Sequence, residues 1–241
     1  MSICINDNLI WISVPRCAST SIENALFNPS LNIKHYKYGN ARVYPKHIHT
    51  KATELYRTFG KMETVVIKRN YFDRWISALQ HSWYTYEING VEMSVKWEDI
   101  DNDFIYQNFT NEYIDSIYSI VGAENDLMKY EDIIKMRELK KSIIYRFAKN
   151  IPENIESIFN PTMLLVSQSF WVDNNKCTYE FNIDEINKFE EFICNRYKID
   201  FKVKKINESK LIKNNIIKDD KLKKWVWDNF EKRFETRNQL I

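Results

Sequence analysis

Two short stretches hold residue types suited to gripping an anion. The first, PRCASTS (15–21), follows the apolar run LIWISV (9–14) and leads into a helix expected from about Ser19 to Phe27. A helix start offers unpaired N–H groups and the positive end of the helix dipole, and a turn that aims them outward binds phosphate or sulfate. Ser19, Thr20 and Ser21 add hydroxyls, and Arg16 adds a charged fork of N–H groups. The same residues also have a purely architectural reading. Thr20 and Glu23 stand at capping-box spacing, which closes a helix end with no ligand. The second stretch, VVIKRNYFDRWISAL (65–79), puts Arg69 at the end of a β-branched run and Ser77 eight residues later, roughly two helical turns on. Asp73 and Ser77 share the polar side of that helix, so Arg69 and Ser77 can grip one phosphate together.

Familiar alternatives fail on residues. A Walker A loop needs glycines and a Lys at fixed offsets, and the first glycine of the chain is Gly39. A dinucleotide fingerprint fails for the same reason. A cysteine phosphatase would need an Arg six positions after Cys17, where Glu23 stands, so Cys17 reads as structural. Cys4, Cys17, Cys177 and Cys194 form no CxxC pair and no zinc spacing, which suits reduced thiols in a cytosolic protein. No carboxylate cluster calls for a metal.

These turns need elements to hold them. LIWISV (9–14) and TVVIK (64–68) read as buried strands. Phe72, Trp75, Ile76, Leu79 and Trp83 lie on one helical face, with Asn70 as N-cap and Asp73 in the first turn. Residues 125–150 read as helical, TMLLVSQSFWV (162–172) as containing a buried strand, and Ile186, Phe189, Ile193 and Tyr197 as another amphipathic helix. Leu222, Val226, Phe230 and Phe234 form a stripe on a final helix. Strands alternating with helices argue for an α/β layered fold with a central, mainly parallel sheet flanked by helices. No composition break divides residues 1–241, so a single domain is expected. Net charge is +2, although residues 202–224 hold nine Lys against three acids. That balance gives no ground for a nucleic-acid partner. The start lacks a basic n-region and carries Asp7, no apolar run reaches membrane-spanning length, and a cytoplasmic protein without a membrane partner is expected.

The two anion stretches together resemble the cofactor loops of PAPS-dependent sulfotransferases, in particular the carbohydrate sulfotransferase branch. PRCASTS (15–21) is similar to a loop that reads roughly P-K-[TC]-[GA]-[ST]-T-[ST] and holds the 5′-phosphosulfate. RNYFDRWIS (69–77) is similar to R-[DN]-P-x-x-R-x-x-S, which holds the 3′-phosphate, and matches at Arg69, Asn70, Arg74 and Ser77. HTKATEL (49–55) resembles an H-x-T-x-x-E-[IL] segment at His49, Glu54 and Leu55, with Lys51 where the Thr should stand. VSQSFW (166–171) resembles a later Q-S segment, and KINESK (205–210) an N-x-S segment. Arg16 stands where that family usually has Lys, and Tyr71 where it usually has Pro.

The resemblance implies a P-loop-like, three-layer α/β fold and in-line sulfuryl transfer from PAPS to a hydroxyl on a carbohydrate or small-molecule acceptor, leaving PAP. It assigns the 5′-phosphate to the amides of Cys17, Ala18, Ser19, Thr20 and Ser21 and to the three hydroxyls, with Arg16 beside the moving group. It assigns the 3′-phosphate to Arg69 and Ser77, with Lys205, Ser209 and Lys210 closing over the cofactor. His49, or His47 two residues away, is the expected base, because histidine titrates near working pH. Glu23 is a reserve base. Trp171 reads as core or as an adenine-stacking residue. Two rival readings are a nucleotide-dependent kinase, which would need Mg²⁺, and a PAP- or glycan-binding module that has lost the chemistry. The acceptor would be chosen by residues 85–160, preceded by Trp83 and Tyr84 and including Tyr86 and Trp97.

Overall fold

The chain begins with a hairpin. Strand β1 (Ser2–Ile5) runs antiparallel to β2 (Leu9–Ile12), with Ile5 opposite Leu9 and Ile3 opposite Trp11. The turn between them places Asn6 and Asp7 at φ 47° and 57°. Asn and Asp tolerate this left-handed region better than other side chains. The Asn8 N–H donates to the Ile5 carbonyl at 3.1 Å. A computed structural model describes residues 2–31, 34–38, 51–88, 98, 100–115, 165–172, 177–204 and 215–232.

Among the described residues, three further strands join the sheet. β3 (His35–Tyr38) lies antiparallel on the outer side of β1. β4 (Glu63–Lys68) pairs in parallel with β2, and β5 (Tyr179–Asn182) pairs in parallel with β4. The order is β3-β1-β2-β4-β5. The fold is therefore α/β with a mixed sheet, which corrects the expected mainly parallel one. The physical reason is the Asn-Asp-Asn turn: a connection this short can only reverse the chain.

The chain divides into two compact units, Met1–Arg74 with Ser167–Ser209 and Phe234–Ile241, and Trp75–Val166 with Lys210–Arg233. The first holds the sheet. Ile3, Ile5, Leu9, Trp11, Val65 and Ile67 point to one face and form a core with Phe201 and residues of two helices. Helix α1 (Ser19–Leu26) supplies Ile22 and Leu26 one turn apart; the helix Ile186–Tyr197, labelled α6 below, supplies Phe189 and Ile193 in the same way. Cys4, Ile10, Ile12 and Val66 point to the opposite face and are also buried. Strands buried on both faces read as unbroken apolar runs, which is why β2 and β4 were visible in the sequence. The unit also contains α2 (Ala52–Phe59) and the short helix α5 (Gln168–Val172).

Helix α3 (Tyr71–Ile88) contains the division between the units. In the second unit, Trp75 meets Phe109, Trp225 and Phe230 with ring centroids 5.8, 6.0 and 5.4 Å apart. These are edge-on or tilted contacts of the kind aromatic quadrupoles favour. Helix α4 (Asn102–Asn108) is capped by Asp101, whose carboxylate accepts from the Phe104 N–H at 2.7 Å. Helix α7 (Asp220–Val226) is capped likewise by Asp219 and continues as a π-helical turn, Trp227–Glu231. Leu222, Val226 and Phe230 are buried, as their spacing predicts. Phe234 and residues 125–150 lie outside the described residues.

The sequence argues for a buried strand within 162–172; residues 162–164 lie outside the described residues, and 165–172 hold the helix α5. The Ser167 hydroxyl accepts from the Ser169 N–H at 3.0 Å and starts that helix, and Phe170, Trp171 and Val172 are buried on it. A run of three apolar residues fits a strand or a helix equally well. Among the described residues, no helix is long and apolar enough to cross a membrane.

Candidate functional site

β2 and β4 are adjacent and parallel, with Ile12 beside Val66. Their carboxyl ends therefore open on the same edge of the sheet, the edge where ligands of open α/β sheets bind. Arg16 lies four residues beyond Ile12, and Arg69 three beyond Val66. The sheet register thus brings together two turns that are far apart in sequence.

The first turn is tightly wound. The Cys17 N–H donates to the Val14 carbonyl at 3.4 Å, and both Val14 and Cys17 are buried. Arg16 and Ala18 take φ values of 63° and 57°. Each costs a non-glycine residue roughly 1–2 kcal/mol, and such strain persists only where the surroundings enforce it. Left-handed residues on either side of Cys17 give the alternation of hand in which successive N–H groups converge on an anion. Helix α1 then starts at Ser19, and the Ile22 N–H donates to the Ala18 carbonyl at 3.0 Å.

This start corrects the capping-box expectation. The N-cap is Ala18, in a left-handed conformation and with no side-chain cap, so Thr20 already lies inside the helix. Ser19 is half-buried, Thr20 exposed and Ser21 buried. The expected Asn70 cap is present: its Oδ1 accepts from the Phe72 and Asp73 N–H groups at 3.1 and 3.3 Å. That cap starts α3 directly after Arg69.

The electrostatics are those of two confined cations. Burial pushes the Arg16 guanidinium below its ordinary pKa; the neighbouring Arg69 charge pushes it further, and Cys17 opposes the shift. Arg16 therefore lies within electrostatic reach of Arg69.

A third segment meets both turns. The Arg69 N–H donates to Gln168 Oε1 at 2.9 Å, and Gln168 Nε2 donates to the Arg69 carbonyl at 2.7 Å. The Cys17 thiol donates to the same Oε1 at 3.5 Å. Gln168 belongs to the VSQSFW segment singled out above, but no role for it was read from sequence. A side chain that pairs with a main chain 99 residues away leaves no local signal. Two residues on, Phe170 carries the Lys51 ammonium 4.1 Å above its ring, which brings the start of α2 against α5.

Of the remaining expected site residues, Ser77 is buried in α3 and belongs to the second unit, and Arg74 is fully buried. Trp171 is buried on α5, with its ring 5.1 Å from that of Phe170 in an edge-on contact. His47, His49, Ser209 and Lys210 lie outside the described residues, as do Lys205, Trp97 and the side chains of Trp83, Tyr84 and Tyr86. No protein-family model, curated protein or solved structure matches the chain.

Proposed function

We propose that this chain is a PAPS-dependent sulfotransferase acting on a hydroxyl of a carbohydrate or small-molecule acceptor, with the three-layer, P-loop-like architecture that reading implies. The observation that carries the proposal is that the Arg16 and Arg69 turns leave two adjacent parallel strands and share one partner, Gln168 Oε1. A fold that holds two mutually repelling cations together at a strand edge suits a ligand with more than one anionic group. PAP and PAPS are such ligands. The left-handed turn at Arg16 and Ala18 and the start of α1 fit the phosphate of one end, and Arg69 fits that of the other.

PAPS would supply the sulfuryl group and a stable phosphate leaving group. The chain's own contribution would be positioning and charge stabilisation, as in phosphoryl transfer. The amides and hydroxyls of residues 17–21 would fix the 5′-phosphate. Arg16 would neutralise charge growing on the oxygen that leaves sulfur, as the acceptor oxygen forms its bond from the opposite side. The acceptor proton would pass to a histidine, His49 or His47 by the resemblance. Arg16 offers a planar fork where the related loop has a compact ammonium, so it can contact two oxygens at once.

Thermal shift with PAP, ATP and ATP–Mg²⁺ tests the ligand class. Stabilisation by PAP without metal is expected; stabilisation by ATP–Mg²⁺ and not by PAP would select a kinase. A PAPS turnover assay tests the chemistry, and His49→Ala the base. Binding without turnover across a panel of hydroxyl acceptors would reduce the protein to a PAP-binding module.

A further inference from the structure

Gln168 makes three hydrogen bonds to two distant turns. It donates to the Arg69 carbonyl and accepts from the Arg69 N–H, at 2.7 and 2.9 Å, which is how one strand residue pairs with another. The side-chain amide thus continues the pairing of β4 one residue past Lys68. Its Oε1 also accepts the Cys17 thiol at 3.5 Å, beside Arg16. An N–H partner at one end and a carbonyl at the other leave a single orientation for the amide.

The residue that provides these bonds is itself anchored. It opens α5, whose Phe170, Trp171 and Val172 are buried, and Ser167 before it is fully buried. Lys51 covers Phe170. The contacts Gln168 makes are uncharged, whereas the arginines beside them repel. A neutral tie of this kind can fix a distance that the charges would otherwise widen.

We infer that Gln168 is a positioning residue whose amide sets the separation of the Arg16 and Arg69 turns, so that one ligand bearing two phosphate groups meets both turns at once. This rests on the PAP-binding reading above. Each turn keeps its own phosphate contacts without Gln168; the advantage of joining the two phosphates in one molecule is what disappears. That advantage is an effective concentration, and it depends on the spacing of the two sites.

The test is calorimetric titration of the full chain, wild type and Q168M, with PAP, 5′-AMP and 3′-AMP. Met has similar length but carries neither the donor nor the carbonyl oxygen. PAP affinity is expected to fall about tenfold or more, with the affinities of the two mononucleotides little changed. A general structural defect would weaken all three alike, so equal losses, or an unchanged PAP affinity, overturn the inference. Alkylation of ligand-free protein, read at the Cys17 peptide, is expected to accelerate in Q168M as the thiol loses its acceptor. If wild type binds none of the three nucleotides, the sulfotransferase reading fails. Alkylation alone then decides: acceleration supports the tie and a wild-type rate overturns it. If Q168M does not fold, Q168N takes its place. It keeps the amide and shortens its reach by one methylene, and the same selective loss of PAP affinity is expected.

Discussion

Replacing Arg69 with Met should move two quantities in opposite directions. Met keeps an unbranched apolar stem and leaves the residue-69 N–H and carbonyl available to Gln168. In the ligand-free protein the substitution removes a charge that repels Arg16. Two unit charges a few ångströms apart repel by about 1 kcal/mol in a water-like dielectric. The side chains spread to relieve part of this, so roughly 0.5 kcal/mol of stabilisation is expected, or ~1–2 °C in Tm for a chain of this size. With PAP present the sign reverses. A charge-assisted contact contributes about 1.5–3 kcal/mol, so Kd should rise roughly 10- to 150-fold. At a PAP concentration about 100 times the wild-type Kd, wild type gains ~2.7 kcal/mol; a variant bound about 100-fold more weakly gains only ~0.4 kcal/mol. Thermal melts should therefore rank the variant above wild type without PAP and below it with PAP. Raising salt from about 0.15 M to about 1 M cuts the screening length from ~8 to ~3 Å and should shrink the difference in the absence of ligand. A variant that melts lower than wild type without ligand, yet binds PAP equally well, refutes the reasoning.

Three further outcomes follow from particular residues. Ala18→Gly relieves a left-handed alanine at the start of α1; strain relief exceeds the added chain entropy by about 0.5 kcal/mol, read as a higher denaturation midpoint. Asn70→Ala removes the acceptor for two N–H groups at the start of α3 and should cost about 1 kcal/mol by the same measurement. Burial raises the Cys4 and Cys177 thiols above an ordinary value near 9. The folded protein then holds protons that the unfolded chain releases, so this stability is complete below that pH and is lost as pH rises through the folded values. Denaturant midpoints compared between about pH 7.5 and about pH 10 should therefore fall less in Cys177→Ser than in wild type.

The parts legible in the sequence were those with strong local signals. β2 and β4 are continuous apolar runs, and the faces of α3, α6 and α7 repeat with helical spacing. Asn70 lay where a cap belongs. β2 has only four residues but all are apolar, whereas β1, β3 and β5, equally short, mix polar and apolar residues and went unread, being too short for alternation to stand out. Without β1 the sheet looked parallel. The capping box failed through one residue, since the left-handed Ala18 takes the N-cap and puts Thr20 inside α1. The approach of Arg16 to Arg69 follows from the pairing of β2 with β4, which no motif spells out. Gln168 was visible only as part of a short resemblance, because its partners depend on tertiary structure.

The order in which the chain is made gives the Gln168 bonds a further meaning. Both arginine turns leave the ribosome well before the amide that joins them, which follows Arg69 by 99 residues. At about 5–20 residues per second, that interval is roughly 5–20 s. During it β4 lacks β5, its parallel partner on the far side, and presents an open row of backbone groups, the kind of edge that recruits other chains. A nascent chain of this protein therefore needs that edge shielded until residues 168–182 emerge, and chains truncated before that point should aggregate during synthesis rather than fold.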